Sequence, residues 1–101
     1  MQNNILIVDD KLSILYAVEI CLKKDFNIFT ASNGLEAWDI IKVQEIHCMV
    51  TDIEMPVMNG IELIEKIREA NYNIITIVAS GNDDTKLFQW ISDLPQKSGH
   101  I

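Results

Sequence analysis

Apolar and polar positions along this chain switch between two periods. Residues 4–8 read Asn-Ile-Leu-Ile-Val, a continuous apolar run that suits a strand buried on both faces. The run stops at Asp9-Asp10. Over residues 11–23 the apolar positions Leu12, Leu15, Val18 and Leu22 recur at spacings of three and four, which predicts an amphipathic helix. Residues 26–30 are rich in β-formers and predict a second strand. Ser32-Asn33-Gly34 is turn chemistry, with Asn and Gly suited to positive φ, and Leu35, Trp38 and Ile41 give a second helical stripe. Residues 46–51 predict a third strand ended by Asp52, and Pro56 and Asn59-Gly60 punctuate the loop after it. A third helix is predicted over 61–70, with Ile61, Ile64 and Ile67 facing inward. Residues 74–79 predict a fourth, again apolar, strand. Ser80-Gly81-Asn82 turns the chain, Leu87, Phe88 and Ile91 suggest a weaker fourth helix, and Pro95 ends it.

Four strand–helix units in a row imply an α/β fold with a doubly wound parallel sheet. Right-handed crossovers distribute the helices over its two faces. A length of 101 residues fits one domain, residues 1–101, with no repeat and no linker. Hydrophobic residues at 49% and charged residues at 23% make a globular composition. No apolar run approaches the length of a membrane span. A secretory signal is not expected, because the first residues carry no positive charge and the first apolar run meets Asp9-Asp10. Cys21 is expected buried on a helix and Cys48 near a strand, both as reduced thiols of a cytoplasmic protein. A formal net charge of −7 repels phosphate backbones and argues against direct nucleic-acid binding.

The candidate chemistry is acidic. Asp9 and Asp10 follow strand one directly and Asp52 follows strand three. Ligands of open parallel sheets bind beyond the carboxyl ends of the strands. Were strands one and three neighbours, the three carboxylates would converge and repel unless a cation sat among them, and Mg²⁺ is the natural hard, oxygen-seeking candidate. Ser80 ends strand four on the same side, where its hydroxyl could donate to an oxyanion built on Asp52. Each acid alone has a plainer reading, and Asp10 in particular could cap the first helix. A cap does not need three carboxylates from two strands.

These residues resemble the receiver domain of two-component response regulators. The resemblance is carried by Asp9-Asp10, by Asp52, by Met55-Pro56-Val57-Met58-Asn59-Gly60, by Ala31-Ser32-Asn33-Gly34-Leu35-Glu36-Ala37 and by Ser80. The separations of 42 residues from Asp10 to Asp52 and 28 from Asp52 to Ser80 agree with it. It implies a flavodoxin-like sheet of strand order 2-1-3-4. It also implies that Asp52 takes a phosphoryl group from the phosphohistidine of a sensor histidine kinase or phosphotransfer protein. Asp9, Asp10, Asp52 and the backbone carbonyl of Glu54 would hold Mg²⁺. Ser80 and the N–H of Gly81 would bind the phosphoryl oxygens, and the change would pass to an output partner or domain. Gly60 would permit the turn into the third helix and Pro56 would stiffen the loop.

One family element has no counterpart. The Lys that ends the family's fifth strand would lie near the end of this chain, and Lys97 sits in a polar stretch with Pro95 and Ser98-Gly99, a solvated loop lysine. His100-Ile101 would begin that strand, so the fifth strand and fifth helix are expected to be missing. Slow phosphorylation and self-association through the exposed edge of strand four follow as expectations. A chain extended through strand five would then phosphorylate faster. The competing readings are a haloacid-dehalogenase-like phosphatase, a flavin-binding module and a receiver-like interaction module that does not use phosphate. The first wants Asp-x-Asp after strand one, where this chain has Asp52-Ile53-Glu54 after strand three. The second wants a phosphate loop where Asp9-Asp10 stands. His47 and His100 have no ligand partners at the spacing of a zinc site; Trp38 and Trp90 are read first as packing, with Trp90, off the Leu87–Ile91 stripe, the better candidate for an exposed partner surface.

Overall fold

In the computed structural model, which describes residues 3–79, strands and helices alternate as β1 (Asn4–Val8), α1 (Leu12–Leu22), β2 (Asn27–Ala31), α2 (Gly34–Val43), β3 (Cys48–Asp52), α3 (Gly60–Glu69) and β4 (Ile75–Ala79). The strands are all parallel and pair in the order β2-β1-β3-β4, the expected 2-1-3-4. The anticipated helix around Leu87 and Ile91, the Ser80-Gly81 turn, Lys97 and His100-Ile101 lie outside the described residues.

Side chains of a strand alternate between faces, and the core divides accordingly. Ile5, Ile7 and Val50 pack with Ile14, Leu15, Val18 and Leu22 of α1 and with Phe26. Leu6, Val8 and Met49 pack on the other face with Ala37 and Ile41 of α2 and Leu63 and Ile67 of α3. β1, in the middle, is buried on both faces, which is why its sequence is apolar without alternation. Phe26 and Ile46 are buried but precede their strands. Their hydrophobicity is what draws the predicted strands one or two residues too early.

Several side chains point elsewhere than the periodicity suggests. Leu12 is 70% exposed, and Ile14 takes its place on the inward face of α1. Cys21 is exposed rather than buried, because it lies beside, not on, the Val18–Leu22 line. Leu35 is exposed and Ala37 is buried. In α3 the inward stripe is Gly60, Leu63 and Ile67, with Ile64 half-buried, and Ile61 is 48% exposed. The phase of α3 is set at its first residue. A Cβ on Gly60 would collide with the main-chain carbonyl of Asp52, so only glycine lets the helix start against β3. β4 is apolar yet only partly covered: Ile75 is 68% exposed and Val78 42%.

At the end of the sheet away from the acids, polar side chains tie strands together. His47 Nδ1 accepts from the amide of Asn4 at 2.9 Å and Asn27 Nδ2 donates to Asn4 Oδ1 at 3.0 Å. His47 is therefore a strand clasp. Trp38 is a packing residue, with Tyr72 edge-on at 5.9 Å and the ammonium groups of Lys42 and Lys66 5.9 and 5.7 Å from its ring.

The corrected phase of α3 is testable. Leu63→Ala should lower unfolding free energy by about 2–5 kcal/mol, whereas Ile61→Ala should change it by less than about 1 kcal/mol. Urea denaturation of both variants checks this, and equal losses would contradict the assigned face.

Candidate functional site

Parallel pairing of β1 with β3 aligns Val8 with Thr51, so the next residues, Asp9 and Asp52, emerge side by side at the carboxyl end of the sheet. Both are buried. Asp10 is exposed and its carboxylate joins them: one oxygen from each of Asp9, Asp10 and Asp52 lies within 4.8 Å of the others. Asp10 does not cap α1. The N-cap is Lys11, whose side chain makes no cap bond, and it is Asp9 Oδ1 that accepts from the Lys11 amide, at 2.8 Å. Asp52 Oδ1 accepts from the amide of Ile53 at 2.7 Å.

The loop from 53 to 59 is anchored at several points. The Gly60 amide donates to the Ile53 carbonyl at 2.8 Å. Asn59 forms a reciprocal capping box with Glu62, which fixes the start of α3. Met55 and Met58 pack against the core. The Met58 amide donates to the Pro56 carbonyl at 2.7 Å, closing a γ-turn around Val57 at φ 69°. Asn33 and Asn59, both suited by type to positive φ, instead adopt negative φ and serve as N-caps.

Electrostatics make the cluster unfavourable as three bare anions. Burial raises the Asp52 carboxyl above its ordinary value; the amides of Ile53 and Glu54 and the charge of Lys11 pull it down, and Asp10 pushes it further up. Burial likewise raises Asp9, aided by the charges of Asp52 and Asp10 and opposed by the Lys11 amide and charge. Hard carboxylate oxygens in this number suit a divalent cation such as Mg²⁺.

Asp9, Asp10 and Asp52 thus meet as their positions in sequence suggest, and Glu54 sits in the adjoining loop. Ser80 and Gly81 lie outside the described residues. Three contributors carry little sequence signal. Lys11 places its charge beside both buried acids, and its position after Asp9-Asp10 is the only hint. Val57 supplies the positive φ that one would assign to Asn or Gly. Gly34 packs under Met58, a contact between distant segments.

The chain matches the response regulator receiver domain family over residues 5–93. It is 35% identical over 89 residues to the transcriptional regulatory protein SrrA of Staphylococcus aureus, a match covering 86% of this chain and 37% of that protein. The chain therefore spans little more than a third of the length of the curated relatives it matches. Among solved structures, a CheY-like response regulator receiver domain protein from Methanospirillum hungatei JF-1 is similar with a TM-score of 0.76 and 25% identity, over 91% of this chain and 76% of that one. The receiver domain of Francisella response regulator 1452 shares the fold, with a TM-score of 0.75 at 24% identity over 94% of this chain and 81% of that one.

The raised carboxyls give a pH dependence of definite sign. A carboxyl whose folded pKa lies above its unfolded value contributes stability that is complete below the unfolded value, 3.8 for Asp, and is lost as pH rises through the folded value. At pH 7 without divalent ions the ionised acids therefore oppose folding. Asp52→Asn should raise the melting temperature there by a few degrees, the shift that about 1 kcal/mol makes in a domain of this size. The gain should shrink as pH falls toward about 4. Thermal melts in EDTA from pH 4 to 8 check the trend, and a gain independent of pH would contradict it.

Proposed function

The chain belongs to the response regulator receiver family, and from that membership we propose that it is a phosphorylation switch whose acceptor is Asp52. Receiver domains support phosphorylation-dependent signalling and meet histidine kinases or phosphotransfer proteins. The observation that carries the assignment here is the convergence of Asp9, Asp10 and Asp52 at the carboxyl ends of β1 and β3.

The proposed Mg²⁺ site comprises Asp9, Asp10, Asp52 and the backbone carbonyl of Glu54. Its fit rests on the hard oxygen donors and on two acids that burial and mutual charge make costly to ionise alone. When bound, the ion supplies positive charge that offsets both the carboxylates and the incoming phosphoryl oxygens. Asp52 accepts from the Ile53 amide through Oδ1, and an oxygen of the same carboxylate would attack. In the proposed step that oxygen forms a bond to the phosphorus of the donor's phosphohistidine, the P–N bond breaks, and the departing imidazole nitrogen takes a proton from solvent. In-line placement of the acid is most of what such a transfer asks of a protein. Ser80, in its assigned role, follows Ala79, the register partner of Asp52. Its hydroxyl and the N–H of Gly81 would bind phosphoryl oxygens and pass the change to an output domain or partner.

The surface supports a docking partner. Leu12, Tyr16 and Ile20 are exposed at four-residue intervals along α1, so an apolar stripe leads away from the acids along one helix face. A phosphodonor protein lying on α1 would bring its histidine to Asp52. Exposed Ile75 and Val78 on β4 favour self-association along that strand, which a monomeric mass at high concentration would refute. Free thiols at Cys21 and Cys48 fit a cytoplasmic setting, and no described helix is long and apolar enough to cross a membrane.

Intact mass after incubation with Mg²⁺ and acetyl phosphate tests the assignment. The wild-type chain should gain one phosphoryl group, and Asp52→Asn or wild type in EDTA should gain none. Equal labelling of Asp52→Asn would move the acceptor elsewhere, and no labelling of the wild type would overturn the phosphate-dependent reading.

A further inference from the structure

The two arms of the acidic site are joined from behind by the turn between β2 and α2. On one side the Ala31 carbonyl accepts from the amide of Asp9 at 3.1 Å, the residue that opens the β1 arm. On the other, the Gly34 amide donates to the Met58 carbonyl at 2.9 Å, in the loop that carries Glu54. The turn itself is held firmly. Asn33 Oδ1 accepts from the Glu36 amide at 2.9 Å, and Glu36 Oε1 accepts from both the amide and the hydroxyl of Ser32, at 2.8 and 3.0 Å. A bridge of four residues, 31–34, therefore spans β1 and reaches the loop after β3.

The contact at its far end leaves no space. A Cβ on Gly34 would stand 2.6 Å from the Met58 carbonyl oxygen and 2.8 and 2.9 Å from Met58 Cγ and Cβ. The nearest of these atoms is main chain, so rotation of the Met58 side chain cannot relieve it. Any side chain at 34 must push residues 53–59 away or lift the start of α2.

We propose that Gly34 is a positioning residue for the cation site: through Met58 it sets how far the Glu54 loop stands from the Asp9–Asp10 arm. The inference rests on the cation site proposed above. Gly34 touches neither the ion nor the phosphoryl group, and it acts only through the loop. Residues that orient metal ligands from one step away are worth roughly 10–100-fold in metal affinity.

The test reads Mg²⁺ binding without any phosphoryl transfer, as the rise of melting temperature with MgCl₂ concentration. Three variants are compared with wild type. Gly34→Ala introduces the collision. Asn33→Ala loosens the same turn without one, and serves if the first variant does not fold. Ile41→Val removes a methyl from the buried core that backs α2, far from the loop, and reports what simple destabilisation does. The expected result is that Gly34→Ala weakens Mg²⁺ binding roughly 10-fold and Asn33→Ala weakens it by less, while Ile41→Val melts earlier but keeps the wild-type Mg²⁺ dependence. Turn variants that lose stability yet bind Mg²⁺ as wild type does would overturn the proposal and leave the cation site standing. A wild-type chain whose melting ignores Mg²⁺ would instead remove the cation site itself.

Discussion

Two carboxylates buried next to each other on adjacent parallel strands repel, and most of the local structure is intelligible as the means of keeping them there. The pairing of Val8 with Thr51 sets Asp9, the first residue past β1, beside Asp52, the last residue of β3. Nearby donors turn toward them: the Lys11 amide to Asp9 and the Ile53 amide to Asp52, with the charge of Lys11 acting on both. These contacts reduce the cost but do not cancel it, and both acids remain harder to ionise than in water. Such a cluster of carboxylates suits a cation better than an anion.

Two glycines lie where the segments around the acids touch. The loop of residues 53–59 that follows Asp52 meets the end of β3 on one side and the turn between β2 and α2 on the other. Gly60 lets α3 begin against the Asp52 carbonyl, and Gly34 lets α2 begin against Met58. Neither position has a positive φ; what each requires is room. Three chain segments therefore meet around the site with main chain packed on main chain.

Much of this was legible in the amino-acid order. The period of β1, the three-and-four spacing of α1, and the acids after strands one and three all survive in the structure because each reflects a local rule. The failures are equally specific. Leu12 and Ile61 obey helical periodicity and still face outward, because periodicity defines a stripe without saying which neighbouring element it must meet. Cys21 is hydrophobic by type and exposed by position. Phe26 and Ile46 belong to the core while standing outside the strands, so burial and extended backbone part company at strand entries. Asn33 and Gly34 mark their turn correctly, but the reason, a cap and a close approach to Met58, involves a residue 24 positions away from Gly34, which no local pattern encodes.

Val57 gives the loop a mechanical character. A β-branched residue at φ 69°, with its side chain 74% exposed, gains nothing from packing that would favour that conformation. Its backbone is bent from outside, by Gly34 on Met58 at one end and Gly60 on Ile53 at the other. Backbone held in this way stores on the order of 1–3 kcal/mol, the same range as the free energies by which distant sites influence each other in proteins. The loop resembles a spring clipped at both ends: loosening either clip would release energy already present in the resting chain.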